Sequence, residues 1–196
     1  ARADRGLLEA MESQAQATVG DFKPEEVSNV LWALAVMGEG GPNGPLDVLI
    51  DRLGARVLEV RHLLSLDHKS QLHQWMLSCE MGLVPGASLP SGVARVQQEI
   101  GEDCFKHFLG RATHESLLKQ EVAAALRAVP DVEIEEEYRD GWSGYAIDVM
   151  VRRGSTGSIF GLGKSPGEPA VWWAVDVDGP ADFLHDGRTP SGSTLL

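Results

Sequence analysis

The change in hydrophobic periodicity near Pro130 is the feature that most constrains what this chain can fold into. Before that residue, apolar side chains recur every three or four positions, which is typical of amphipathic helices. After it they alternate with charged residues, as in VEIEEEY from Val132 to Tyr138, which is typical of half-buried strands. The sequence therefore predicts an α+β protein, with a helical segment over residues 1–113 and a small α/β segment over residues 114–196.

The helical segment contains one helix with clear start and stop signals. The stretch FKPEE, residues 22–26, places proline and acidic residues where the first turn of a helix favours them. VSNVLWALAVMG follows with apolar residues at helical spacing, and Gly38 is expected to end the helix. Further helices are predicted over about 46–58, from an N-cap at Asp67 to Gly82, and near 91–100, 103–109 and 114–128.

Two of these helices share a pattern that suggests an internal repeat. Trp32 and Met37 in the first helix have counterparts about 40 residues later, at Trp75 and Met81. This spacing is typical of stacked helical hairpins in an α-solenoid. We therefore predict solenoid-like helical hairpin repeats over residues 1–113. Any two amphipathic helices share some of these features, so ordinary helix packing stays open as the alternative.

The charge balance argues against a protein that binds nucleic acid indiscriminately. The chain has 17 Lys and Arg residues against 29 Asp and Glu residues, a formal net charge of −12. A wholly acidic surface repels phosphate backbones, although local basic patches are compatible with this balance.

The cysteines and the apolar runs exclude two further classes of site. Cys79 and Cys104 belong to no CxxC motif or Cys/His cluster, so we expect buried reduced thiols and no zinc site. No apolar run approaches the ~20 residues that a membrane-spanning helix needs, and Ala1 is not followed by a signal-peptide pattern. We therefore expect no membrane insertion.

Three aspartates stand in segments that otherwise resemble strands. Asp148 interrupts YAIDVMVRR, and Asp176 and Asp178 interrupt WAVDVDGP, where they are expected to share one face of a strand. Aspartate is disfavoured in strands and costly to bury without a partner. If the two strands are neighbours, the three carboxylates meet and form a set of ligands for Mg²⁺ or Mn²⁺, as in a nuclease.

A purely structural interpretation of these acids is the alternative. They would then end strands, cap the turn at Gly179 and Pro180, or form ion pairs with Arg152, Arg153 or Arg188. The sequence alone leaves both interpretations open.

Several motifs of the C-terminal segment together resemble the RAP domain, a small module of organellar RNA-processing proteins. The matching stretches are IDVMV, WAVDVDGPADFL and GRTPSGSTLL, with ESLLKQEVAAAL as the preceding helix. VSNVLWALAVMG is similar in turn to the repeat helices of octotricopeptide-type and Fas-activated-kinase-like proteins, which usually precede RAP domains.

The resemblance implies a fold related to the PD-(D/E)xK restriction endonucleases, with Asp148, Asp176 and Asp178 at the nuclease metal positions. Three differences argue against catalysis. Asp178 stands where the nuclease has a lysine, and Asp182 stands where the family commonly has a histidine. The family pattern also continues with a basic helix and a strand beyond Leu196, so we expect a C-terminally incomplete domain. We therefore expect no catalytic residue, no metal and no cofactor, with Mg²⁺ only under a nuclease alternative.

The candidate RNA contacts are basic and aromatic side chains near the aspartates. Basic residues bind phosphates, and exposed aromatic rings stack on bases. Trp173 is expected in the core instead. The candidates are Arg152, Arg153, Lys164, Arg188, Trp142 and Trp172.

The favoured function at this stage is a non-catalytic RNA-associated role in an organelle, with the mitochondrion ahead of the plastid. The chain would be a subunit of a mitochondrial ribosome or an rRNA- or mRNA-processing factor, with organellar RNA and neighbouring ribonucleoprotein subunits as partners. Two alternatives stay open: an Mg²⁺-dependent RNA endonuclease, and a subunit that contacts proteins alone.

Overall fold

The computed structural model describes residues 5–38, 46–82, 88–110, 116–153 and 172–178. Within these ranges the fold is α+β, with six α-helices and one three-stranded antiparallel sheet. The α+β class predicted from the sequence is therefore confirmed. The described residues form two compact units, the first extending to Gly110 and the second lying after it.

Helices make up the first unit. They are α1 (Arg5–Thr18), α2 (Pro24–Val36), α3 (Asp47–Val60), α4 (Leu66–Met81) and α5 (Ser91–Leu109), with short 3-10 turns at Val19–Asp21 and Arg61–Leu63. The predicted limits of α2 are confirmed. The Glu26 carboxylate accepts a hydrogen bond from the Lys23 N–H at 2.7 Å at its start, and Gly38 follows its end with φ of +71°. That φ favours glycine, which has no Cβ to clash.

Two predictions about helix boundaries are wrong. Ser65, not Asp67, caps α4: its hydroxyl accepts the His68 N–H at 3.3 Å, and the His68 ring accepts the Ser65 N–H at 3.1 Å. The predicted helices at 91–100 and 103–109 are the single helix α5, which continues through Gly101. A continuous stripe of apolar side chains packs against the core, and this burial outweighs the ~1 kcal/mol cost of an interior glycine. The stripe consists of Val93, Val96, Ile100, Cys104 and Phe108.

The core of the first unit lies where α2 packs on α4, α4 on α5, and α3 on α5. Trp75 is fully buried at its centre. Two hydrogen bonds link α2 to α4: the Trp32 indole N–H donates to Gln74 at 3.1 Å, and the Gln71 amide donates to Asn29 at 2.8 Å.

Both cysteines of the first unit are buried and free, as the sequence predicts. Burial raises the pKa of the Cys79 thiol to about 12, and it raises the pKa of the Cys104 thiol to about 12 as well. Both groups are therefore protonated and unreactive at neutral pH, because the thiolate is the nucleophile.

The second unit combines one helix with the sheet. Its elements are α6 (Leu117–Arg127), β1 (Val132–Arg139), β2 (Ala146–Arg153) and β3 (Trp172–Val175), in the sheet order β1-β2-β3. The predicted turn between β1 and β2 is confirmed: the Asp140 N–H donates to the Tyr145 carbonyl at 2.9 Å, and the Asp140 carboxylate accepts the Ser143 N–H at 2.7 Å. A small core joins α6 to the sheet through Ala123, Val149 and Val151.

Strand β3 is shorter than the sequence predicts. It ends at Val175, so the expectation that Asp176 and Asp178 lie within a strand is wrong. Both side chains are exposed, although Asp176 still loses part of its water beside Asp148. Trp173, predicted to be core, is 40% exposed, because β3 contributes to the small core through Val175.

Candidate functional site

Asp148 is a buried charged residue of the second unit, and both of its carboxylate oxygens are bound. One oxygen forms an ion pair with the Lys119 ammonium group of α6. The other accepts a hydrogen bond from the Val177 N–H at 2.9 Å. The Asp148 side chain is 8% exposed and the Lys119 side chain 28% exposed, so the pair lies at the edge of the core. A buried carboxylate needs partners of this kind to offset the loss of its water.

The N-cap of α6 positions Lys119. The Ser116 hydroxyl accepts a hydrogen bond from the Lys119 N–H at 3.2 Å, which fixes where the first turn begins. Lys119 then lies one turn before Ala123 and two turns before Leu126, on the helix face that packs on the sheet.

The strand facing Asp148 has an irregular backbone at the same level. The β1–β2 pairing passes from Glu136↔Val149 to Tyr138↔Ile147, and Glu137 between them has φ of +51°. A non-glycine residue in that region costs on the order of 1–3 kcal/mol, and such positions often occur at functional sites.

A cleft of about 380 Å³ opens beside Asp148. It is lined by polar side chains of α6 and β1 together with residues of β2. Glu136 at its rim forms an ion pair with Arg127. The lining residues are Ser116, Lys119, Gln120, Glu136, Glu137, Asp148 and Val149.

Asp176 approaches Asp148 from the end of β3, and the pKa of its carboxyl is raised above the usual value of 3.8. Loss of water is the largest cause, followed by a hydrogen bond with Asp148 and repulsion from the Asp148 and Asp178 charges. Lys119 lowers the pKa and offsets part of this effect. The structure therefore brings Asp148 and Asp176 together, while Asp178 acts on Asp176 through its charge.

Replacing Asp176 with asparagine should stabilise the second unit at neutral pH. The folded state binds the Asp176 proton more tightly than the unfolded state does. The bound proton therefore adds its full contribution to the free energy of unfolding below pH 3.8. This contribution is lost as the pH rises through the raised pKa of Asp176. Asp176→Asn keeps a hydrogen-bond donor toward Asp148 without the charge. We expect a gain below ~1 kcal/mol at pH 7, because the side chain is exposed and its charge is screened.

Segment-resolved hydrogen exchange across a urea series at several pH values would measure this gain in β1 and β2. Glu121→Gln removes an exposed charge from α6 and serves as the control, with no expected change. A gain for Asp176→Asn that stays constant down to acid pH would contradict the prediction.

The predicted set of metal ligands does not fit Mg²⁺ as the site is folded. Mg²⁺ is octahedral and is usually held by one or two free carboxylates, with waters and substrate oxygens as its other ligands. The Asp148 oxygens are bound by Lys119 and the Val177 N–H, so a cation would have to displace the ammonium group. Among the described residues, no group of three or more His, Cys, Asp or Glu side chains is placed to hold a metal ion.

Sequence reasoning missed Lys119 as the partner of Asp148 and named arginines as alternatives. Arg152 pairs instead with Glu133, and its guanidinium lies 5.3 Å from the centre of the Trp172 ring. The helical periodicity held a signal for Lys119, since it shares a face with the apolar residues of α6.

The candidate RNA contacts are spread over the second unit. Trp142 is 61% exposed in the hairpin turn, at the opposite end of β2 from Arg152 and Trp172. Trp172 is 43% exposed, as predicted. Arg153 pairs with Val132 at the end of β2. Lys164 and Arg188 lie outside the described residues.

Comparisons with known proteins do not assign a family to this chain. No family model matches it, and no curated protein or solved structure is significantly similar to it. Within the described ranges, none of the helices combines the length and the apolar character needed to cross a membrane. The chemistry of the site and the residues that resemble the RAP domain are therefore the basis for a function.

Proposed function

We propose that this chain is a non-catalytic, RNA-associated organellar protein in which helical repeats precede a RAP-like domain. The ion pair between Lys119 and Asp148 is the observation that carries the proposal. The resemblance to the RAP domain implies that Asp148 occupies a nuclease metal position, and in this proposal the lysine supplies the positive charge there instead. The pair would then occupy the ligand that cleavage needs, and removal of either partner would leave an uncompensated charge.

The packing of the first unit supports the repeat component of this proposal. Helices α2 and α3 form one sequential pair and α4 and α5 the next, with α2 against α4 and α3 against α5. Stacked helical hairpins pack in this way. The α2–α4 hydrogen bonds also join residues about 40 positions apart, close to the predicted repeat length.

The acidity of the chain supports a subunit role within a larger ribonucleoprotein. We propose the mitochondrion ahead of the plastid as its location. A protein with a net charge of −12 gains little from phosphate contacts alone, whereas one held by neighbouring proteins needs few of them. The RNA partner would be organellar rRNA or mRNA, and the complex a mitochondrial ribosome or a processing assembly.

Gradient sedimentation of the native protein, without RNase and at moderate salt, tests this role. We expect the protein to migrate with a ribosomal subunit or another RNA-containing particle, and RNase treatment should shift it to lighter fractions. Absence of RNA from every fraction that contains the protein would favour the alternative in which the chain contacts proteins alone.

The nuclease alternative has one specific observation in its favour: the Asp176 carboxyl lies near the Asp148 and Asp178 charges, which help to raise its pKa. We expect the purified chain to leave end-labelled single-stranded RNA intact with and without Mg²⁺. Cleavage that requires Mg²⁺, is lost in Asp176→Asn and survives in Glu121→Gln would overturn the non-catalytic proposal.

A further inference from the structure

A second, smaller cleft on the sheet is lined by different residues from the cleft at Asp148. Its volume is about 260 Å³, and its lining consists of Glu135 and Tyr138 from β1, Met150 from β2 and Trp172 from β3. Glu135 and Met150 are directly paired across β1 and β2. Among the residues that the structure describes, the cleft therefore combines two aromatic rings, one thioether and one carboxylate.

The carboxylate of this cleft differs from its neighbours on β1. Glu133 is paired with Arg152, and Glu136 is paired with Arg127. Glu135 is exposed, and within the described part of the chain its carboxylate has neither an ion pair nor a hydrogen bond. A negative charge that no described residue neutralises therefore stands beside the Trp172 ring.

We infer that this cleft binds the cationic head of an arginine or lysine side chain from a basic segment of a partner protein. Aromatic faces attract guanidinium and ammonium groups, and a carboxylate beside them adds a charge-assisted hydrogen bond. Met150 provides apolar contact for the methylene stem of such a side chain. The Trp172 ring already contacts one guanidinium within the chain, that of Arg152 at 5.3 Å.

Charge favours a basic protein over RNA as the occupant. A base stacked on Trp172 would bring its phosphates near Glu135, and the chain as a whole carries a net charge of −12. Both charges repel RNA and attract a cationic peptide, and they raise its association rate at low salt. The Arg152 guanidinium beside Trp172 is neutralised by its ion pair with Glu133. This inference does not depend on the proposed RNA association, because a basic partner could be present in a complex of either kind.

Isothermal titration of the whole chain with the peptide acetyl-GRGRGRG-amide at low salt tests the inference. The control peptide has citrulline in place of each arginine, which keeps the shape and removes the charge. We expect the arginine peptide to bind and the citrulline peptide to bind about tenfold more weakly or not at all. Glu135→Gln should lower the affinity for the arginine peptide by about fivefold or more, and Trp172→Leu should lower it by a similar factor.

The matched control variant is Glu121→Gln, which removes the same charge from an exposed position on α6 and should leave the affinity unchanged. Circular dichroism shows whether each variant folds. If Trp172→Leu is unfolded, the inference is tested by comparing the affinities of Glu135→Gln and Glu121→Gln for the arginine peptide. The inference would be overturned if the two peptides bound equally well or if the arginine peptide did not bind. It would also be overturned if the two glutamine variants lost the same affinity for the arginine peptide. Binding of an oligoadenylate RNA that depends on Trp172 and excludes the peptide would also overturn it, in favour of base stacking.

Discussion

The Asp148→Asn variant is expected to lower the free energy of unfolding of the second unit by about 2–4 kcal/mol. Asparagine keeps the size of the side chain but removes the buried counter-charge of the Lys119 ammonium group, so that only the exposed Asp176 carboxylate remains near it. It also weakens the contact with the Val177 N–H, which now meets a neutral acceptor or a donor. The Lys119 side chain is 28% exposed and regains some water, which is why the cost falls below that of a fully buried pair.

Segment-resolved hydrogen exchange in urea would locate the loss in β1, β2 and α6. The matched control is Glu133→Gln, which breaks the exposed Arg152–Glu133 pair on the same sheet and should cost only about 0–1 kcal/mol. Lys119→Met should also destabilise the unit. The double variant should lose less than the sum of the two single variants, because they share one interaction. If Asp148→Asn and Glu133→Gln lowered the free energy of unfolding equally, the Lys119–Asp148 pair would stabilise the unit no more than an exposed ion pair does.

Gly92→Ala is expected to destabilise the first unit by about 1–3 kcal/mol, through a contact between α3 and α5. A Cβ atom at position 92 would lie 2.7 Å from the Asp51 Cα and 2.8 Å from the Asp51 Oδ1. The backbones cross closely here, since a Cβ on Gly54 would in turn lie 3.0 Å from the Gly92 carbonyl oxygen. The clash also disturbs the cap of α5, where the Asp51 carboxylate accepts the Gly92 N–H at 2.6 Å and the Ser91 hydroxyl at 3.1 Å.

Gly101→Ala in the same helix is the control, and its expected effect has the opposite sign. The nearest atom to its Cβ is the Cγ of the flexible Gln97 side chain at 3.3 Å, so alanine should stabilise α5 by about 0.5–1 kcal/mol. Urea unfolding followed by hydrogen exchange in α3 and α5 would compare the two variants. If both substitutions stabilised the unit, this would contradict the claim that α3 and α5 lie too close together to admit a Cβ atom at position 92.

The features that the sequence predicts correctly are those that depend on neighbouring residues. Helical and alternating periodicities separate the two segments because each follows from the geometry of its own element. Gly38 ends α2, and Asp140 organises the hairpin turn, through local backbone conformation and short-range hydrogen bonds. Cys79 and Cys104 are buried because they lie on the apolar faces of their helices.

The errors arise where several elements decide together. The strand pattern of WAVDVDGP predicts buried aspartates, but β3 ends at Val175 and leaves Asp176 exposed. The break predicted inside α5 is absent, because burial of its apolar stripe outweighs the propensity of Gly101.

By itself, the sequence determined the α+β class, the main helices, the hairpin and the presence of aspartates that need an explanation. Only the tertiary structure decided the partners: Lys119 for Asp148, Gly92 for the backbone of α3, and Trp172 for the guanidinium of Arg152. Periodicity specifies which face of an element is buried, but it does not specify which residue of another element lies opposite. That choice depends on how the elements pack, and packing couples residues that lie tens of positions apart in the chain.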